Sequence, residues 1–140
     1  MNAFATLAQQ HPVVALHLAA ALLALVAGGF VMARRKGTPL HRLLGWSFVV
    51  LMAVAALSSA FIRDTHLPNI AGYTPIHVLT ALTLVALPRG LWQIRRGDVR
   101  GHRQTMKALF VGGCLVAGLF TLLPGRFLGN LLWHQVLGLV

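Results

Sequence analysis

Four histidines recur at matching positions in the two halves of the sequence. His41 and His102 lie 61 residues apart, and each is followed by an arginine and preceded by an arginine pair that begins seven residues earlier. His17 and His77 form a second match at an offset of 60. Imidazole nitrogens are common metal ligands, and histidine is a frequent axial ligand of haem iron. The spacing indicates a duplicated helical hairpin that sets equivalent imidazoles opposite one another.

The composition indicates that these residues stand on membrane helices. Hydrophobic residues make up 57% of the 140 residues and charged ones 10%, against about 25% charged in soluble domains. The apolar residues form four blocks, 12–33, 43–62, 76–94 and 106–123. At ~1.5 Å per residue, each block crosses or nearly crosses a hydrocarbon core of about 30 Å.

These blocks predict an all-α integral membrane protein with a single transmembrane domain over residues 1–140. We expect a four-helix bundle built from two duplicated hairpins, followed by a short interfacial helix over 127–140. Pro88 stands inside the third block, so we also expect that span to be kinked or partly unwound at its inner end.

The basic residues predict the orientation of the helices. Ten of the twelve flank the first and third inter-span turns, and the formal net charge is +10. Short loops rich in Lys and Arg lie on the cytoplasmic side. We therefore expect a multi-pass protein of the bacterial inner membrane with both termini on the periplasmic side. This charge distribution argues against a nucleic-acid partner, and it favours contact with anionic lipids.

The helical rise predicts two layers of histidines. His17 and His77 precede the arginine pairs by 17 and 18 residues, or roughly 25–27 Å of helix, whereas His41 and His102 lie at the inner boundary. Diagonal helices of a bundle are roughly 11–14 Å apart, a gap that suits a planar metal macrocycle. We predict haem b in one or both layers, held by His17 with His77 and by His41 with His102. Small residues would leave room for it: Gly28, Gly29 and Gly90 at the inner level, and Ser58, Ser59, Ala60, Ala117 and Gly118 at the outer level.

Three arginines are candidates for the same site. Arg42 and Arg103 directly follow the inner histidines and either pair with haem propionates or act as snorkelling membrane anchors. Arg89 is the basic residue placed deepest in an apolar block, and it either serves a propionate or an anionic redox partner, or snorkels. The remaining histidines, His11, His66 and His134, lack repeat partners and are predicted to be solvated.

The residues that are missing restrict the alternatives. The chain has no Glu, and Asp64 and Asp98 both fall in predicted loops, so no carboxylate is placed for proton-coupled transport or hydrolysis. Cys114 is the only cysteine and reads as a packing residue. The predicted function is a small b-type cytochrome that transfers electrons across the membrane, with quinol or a redox protein as partner. The alternatives are a non-catalytic accessory subunit or scaffold, including a homo-oligomer, with interhelical histidines, and a divalent-metal transporter or sensor that uses one histidine layer.

Three segments carry a resemblance to a known family. The strings at 34–46, 95–107 and 117–126 are similar to small bacterial membrane proteins grouped as domain of unknown function 2306, over about residues 11–127. That resemblance implies a four-helix membrane fold and no established activity. The placing of one histidine on each helix also resembles cytochrome b-561 proteins, which implies electron transfer between two haems.

Overall fold

Helices make up nearly all of the chain that the structure describes. The computed structural model describes residues 3–63, 76–123 and 126–130, together with residues 133, 137 and 138. The α-helices are α1 (Ala3–Gln10), α2 (Pro12–Ala33), α3 (Pro39–Ser59), α4 (Ile76–Arg95), α5 (Val99–Leu109), α6 (Ala117–Thr121) and α7 (Phe127–Asn130), and a π-helical segment, Phe110–Val116, joins α5 to α6.

The two turns at the basic end of the helices are built alike. Gly37 and Gly97 adopt positive φ angles of 81° and 79°, which glycine accepts without steric cost. The next residue caps the following helix in both cases. Thr38 Oγ1 accepts a hydrogen bond from the His41 backbone N–H (3.1 Å), and Asp98 Oδ1 accepts one from the Gly101 N–H (2.9 Å). These matched turns support the predicted duplication of a hairpin.

The long helices pack in sequence order. α2 lies along α3, α3 contacts α4, α4 contacts α5, and the π-helical segment returns to contact α2. The buried core draws on all of these elements: Ala24, Ala27, Phe48, Met52, Leu87, Met106, Leu109 and Cys114. The α2 residues of this core are alanines, and small residues of this kind let helix backbones approach closely in membrane proteins.

Three helical stretches are long and apolar enough to cross a membrane. They are Pro12–Ala33, Pro39–Ser59 and the continuous stretch Val99–Thr121. Two of them begin earlier than the predicted blocks, because the capping residues Thr38 and Asp98 start the helices before the apolar residues begin. By the same comparison of length and hydropathy, made on the described part of the chain, α4 is not a candidate membrane span. It has the length of a span, but it carries Pro88, Arg89 and Arg95.

The departure from α-helical hydrogen bonding lies in the helix that contains His102. The predicted unwinding of the third span is wrong, while a kink at Pro88 stays a prediction. α4 continues without interruption through Pro88, whereas the helix after His102 widens to a π-helix at Phe110–Val116. Two adjacent glycines, Gly112 and Gly113, weaken the helical preference there, and a Cβ at Gly113 would lie 2.6 Å from the terminal methyl of Met52. Packing against α3 therefore accompanies the change of helix type.

The structure adds a helix at the N-terminal end, and it describes only part of the helix predicted at the C-terminal end. α1 was not predicted, and it packs on α2 with Leu7 buried. Of the interfacial helix expected over 127–140, the structure describes a helical turn at Phe127–Asn130, and most of the remaining residues lie outside the description. The loop 64–75 also lies outside the described residues.

A close contact at Gly28 yields a test of this packing. A Cβ on Gly28 would lie 2.5 Å from the Phe110 ring and 2.9 Å from the Phe48 ring, whereas nothing lies within 4 Å of a Cβ on Gly29. We expect Gly28→Ala to lower the free energy of unfolding by about 1–3 kcal/mol through overpacking. Gly29→Ala should leave it unchanged or raise it by up to about 1 kcal/mol. Thermal unfolding of both variants in detergent measures this, and equal stability of the two would contradict the packing.

Candidate functional site: four histidines on neighbouring helices

His17 on α2 is hydrogen-bonded to α3. Its Nδ1 lies 2.8 Å from the carbonyl oxygen of Ala55 and 3.3 Å from the hydroxyl of Ser58. Because a carbonyl oxygen only accepts, Nδ1 carries the proton and donates. In a neutral ring, Nε2 then keeps its lone pair, and His17 has the tautomer needed for ligation through Nε2.

His77, in the first turn of α4, bonds to the end of the same helix. Its Nε2 donates to the carbonyl oxygens of Ile62 (2.9 Å) and Ser59 (3.2 Å). A neighbouring contact joins the hydroxyls of Ser59 and Thr80 at 2.7 Å. The two outer histidines therefore bind carbonyls of the last turns of α3, from α2 and from α4, and they use opposite ring nitrogens.

His102 joins α5 to α4. Its Nδ1 donates to the carbonyl oxygen of Gly90 at 2.8 Å. The helices approach closely there, since a Cβ at Gly90 would overlap the terminal methyl of Met106 unless that side chain moved. One turn away, the Thr105 hydroxyl donates to the Gln93 side-chain oxygen at 2.7 Å. His102 therefore has the same ring arrangement as His17, with Nδ1 fixed by a carbonyl and Nε2 available.

His41 differs from the other three. Its Nδ1 is buried and has no hydrogen-bond partner among the described residues. A buried polar atom without a partner costs roughly 1–3 kcal/mol, so His41 is the one imidazole of the four whose position is not explained by a protein hydrogen bond.

A difference of one residue in the repeat explains why the inner histidines are not equivalent. The turn glycines and the capping residues repeat at an offset of 60, whereas His41 and His102 repeat at 61. His102 therefore stands one residue further into its helix than His41 does, a rotation of about 100° around the helix axis. The two rings consequently face different neighbours.

The predicted arginines lie at the surface. Arg42 and Arg103 are exposed beside the inner histidines, as is Arg89 on α4. Arg89 lines a cavity between α4 and α5 to which none of the four histidines contributes. His11 is exposed as expected, and His66 and His134 lie outside the described residues.

The space that small residues were expected to leave is partly filled. Phe110 and Phe48 occupy the face of Gly28, and Met106 and Thr105 occupy the face of Gly90, whereas Gly29 and Gly118 have open surroundings. The two phenylalanine rings also contact one another, with centroids 6.4 Å apart. Side chains of the core therefore fill the gap predicted beside Gly28 and Gly90.

The donor set bears on the two kinds of metal site considered. In the described part of the chain, no group of three or more His, Cys, Asp or Glu side chains could hold a bare metal ion. Haem requires only two axial protein ligands. His17 and His102 each have the arrangement of a metal ligand, because a metal-ligating histidine commonly donates its other ring N–H to a backbone carbonyl.

The apolar spans and the all-helical fold define an α-helical membrane protein. More particularly, the chain belongs to the family described as "Predicted membrane protein (DUF2306)", whose model matches residues 14–115. No match to the chain was found among curated proteins or among solved structures. The family is thus the one expected from the sequence, and the resemblance to cytochrome b-561 proteins remains an expectation.

The bond from His17 to α3 has a measurable energetic consequence. We expect His17→Ala, studied without haem, to lower the free energy of unfolding by about 0.5–2 kcal/mol, the usual contribution of an interhelical hydrogen bond in membranes. His11→Ala is the matched control and should have no effect, because His11 is exposed. Thermal unfolding in detergent measures both, and an unchanged midpoint for His17→Ala would show that the bond does not stabilise the protein.

Proposed function

We propose that this protein is a small b-type cytochrome of the bacterial inner membrane that passes electrons between the two membrane faces. His17 with His77 are the axial ligands of an outer haem, and His41 with His102 those of an inner one. The fold in this proposal is a four-helix bundle with both termini on the periplasmic side. Quinol, which dissolves in the bilayer, or a redox protein exchanges electrons with it.

The single observation that carries this proposal is the unpartnered nitrogen of His41. A polar atom buried in an apolar bundle is retained at a cost when another requirement keeps it there. A metal bond to this nitrogen would remove the cost. His102 has Nε2 available as the second ligand, because its Nδ1–H is anchored on the Gly90 carbonyl.

The outer pair has weaker support. His17 has the anchored arrangement, with Nδ1 on Ala55, but His77 uses Nε2 for its carbonyl bonds. Ligation by His77 would therefore use Nδ1 or require its ring to turn. The inner site is for that reason the one on which we base the proposal.

When bound, haem supplies one-electron exchange between ferrous and ferric iron. The residues of this chain hold the ring and fix its charge environment. The anchored Nδ1–H of His102 sets the tautomer and strengthens Nε2 as a ligand. Arg42 and Arg103, exposed beside the inner histidines, pair with the propionates as charge-assisted donors. Arg89 faces the cavity between α4 and α5 instead, so we do not assign it to the haem.

Binding beside Gly28 and Gly90 requires side chains to move. Phe110 and Met106 now fill these faces. Met106 lies near the end of α5, and Phe110 begins the π-helical segment that follows it. Hydrogen bonding in that segment is less regular than in an α-helix. Rotation of Met106 would open space beside Gly90, whose carbonyl accepts the hydrogen bond from His102, and rotation of Phe110 would open space beside Gly28.

The four-span topology rests on α4. Its 20 residues give a rise of about 30 Å, which matches a hydrocarbon core. Near its end Trp92 is exposed, and the Arg96 guanidinium lies 4.5 Å from its ring centroid. Aromatic and basic residues of this kind anchor helices at the membrane interface. Arg89 reaches the same boundary by snorkelling.

The test is an absorption spectrum of the purified protein, recorded oxidised and then reduced. We expect a Soret band and sharp reduced α and β bands after expression with ample haem. His102→Leu should remove the inner haem, or about half of the total if both sites are filled, whereas His11→Leu should leave the spectrum unchanged. Retention of all haem in His41→Leu and His102→Leu proteins that remain folded would refute the inner site.

One set of observations favours a second candidate function. Three of the four imidazoles donate to carbonyls of a neighbouring helix or of the turn that follows it, as expected for a non-catalytic membrane subunit held together by interhelical histidines. A folded protein that stays colourless with haem supplied, and whose stability falls in His17→Ala, would support this candidate over the cytochrome.

A further inference from the structure

The cavity between α4 and α5 runs along the helices. It has a volume of about 300 Å³. On α4 its lining residues run from Leu79 to Arg89 along one stripe of the helix, a rise of about 15 Å. On the facing side it is lined by Thr105, Ala108, Leu109 and Gly113. The groove is thus elongated along the helix axes, which lie parallel to lipid chains in the four-span topology proposed above, and the inference rests on that topology.

The polar groups of this groove are unevenly distributed. The Thr83 hydroxyl already donates to the Leu79 carbonyl (2.8 Å), and the Thr105 hydroxyl donates to Gln93 (2.7 Å). The Arg89 guanidinium is therefore the side-chain donor of the lining that remains available, and it stands at the basic end. The remainder of the groove is apolar apart from these two hydroxyls.

No acidic side chain neutralises Arg89 within the described part of the chain. Between residues 76 and 123 the only carboxylate is Asp98, and its oxygen caps α5 at the Gly101 N–H. Exposed cations surround the same end of the hairpin: Arg95, Arg96, Arg100, Arg103 and Lys107. An arginine at the membrane boundary without an acidic neighbour favours an anionic headgroup as its partner.

The geometry points to a binding site for one anionic phospholipid in this groove. The phosphate pairs with Arg89 at the basic end, and an acyl chain lies between Leu79, Leu82, Ala86 and Leu109. One charged contact at one end of a long apolar groove matches the form of a lipid. Basic pockets between membrane helices bind anionic headgroups on the cytoplasmic side. This site is independent of haem and of the electron-transfer proposal.

The test uses full-length protein in mild detergent titrated with phosphatidylglycerol, followed by native mass spectrometry. We expect one lipid to bind preferentially, and Arg89→Gln to weaken its binding by about fivefold, the contribution of one basic residue near the surface. Arg100→Gln is the matched control, since Arg100 is exposed on the same hairpin but does not line the groove. It should weaken binding less than twofold.

A second variant tests the apolar half of the site. Ala108 is exposed in the groove, so Ala108→Phe should fill the groove without disturbing the core, and it should also weaken phosphatidylglycerol binding. Phosphatidylcholine with the same chains and glycerol 3-phosphate should both bind more weakly than phosphatidylglycerol. Equal losses for Arg89→Gln and Arg100→Gln, equal binding of phosphatidylcholine or glycerol phosphate, or unchanged binding by Ala108→Phe would each overturn the proposed site.

Discussion

The need to pair every polar group inside an apolar bundle determines how these helices meet. A membrane offers no water to satisfy a buried N–H or carbonyl, and this chain places one imidazole on each of the four helices α2, α3, α4 and α5. His17 and His77 meet that need by donating to the last turns of α3 and the turn that follows. His102 does so by donating to α4 across the close approach at Gly90. The interhelical contacts and the small residues that permit them are therefore parts of one arrangement.

Most of the helical architecture follows from local signals in the sequence. Pro12 and Pro39 stand at helix starts, Thr38 and Asp98 cap the helices that follow the two basic turns, and the apolar blocks mark three spans. Features that depend on tertiary packing were not predicted. Pro88 predicts a kink or partial unwinding from local propensity alone, but α4 stays helical through it. The π-helical segment lies where Gly113 meets Met52 of another helix, a contact that no local pattern reveals.

The four histidines of the candidate site could be selected from the sequence, whereas their contacts could not be predicted. Matching positions in the repeat identified the four histidines, and depth arguments placed them in two layers. Which nitrogen donates, and to which carbonyl, depends on rotation about each helix axis. The turn glycines repeat at an offset of 60 and the inner histidines at 61, and this difference of one residue rotates the second histidine by about 100° around its helix axis. The difference can be read from the sequence when the turn glycines are taken as the reference. The filling of the space beside Gly28 by two rings depends on side chains far away in the sequence.

The same shift distinguishes the two hairpins that the sequence repeat relates. Each inner histidine follows an arginine pair and precedes an arginine, yet in this structure one is fixed by a carbonyl and the other retains a buried nitrogen without a partner among the described residues. The second hairpin also carries the unneutralised Arg89, and the first has Gly28 at the corresponding offset of 61. Where the first hairpin packs a glycine against aromatic rings, the second presents a cation to a groove. The two hairpins thus differ at two pairs of equivalent positions, His41 with His102 and Gly28 with Arg89. The first pair belongs to the candidate cofactor site, and Arg89 of the second belongs to the candidate lipid site. The turns and helix caps that both hairpins share give them the same fold.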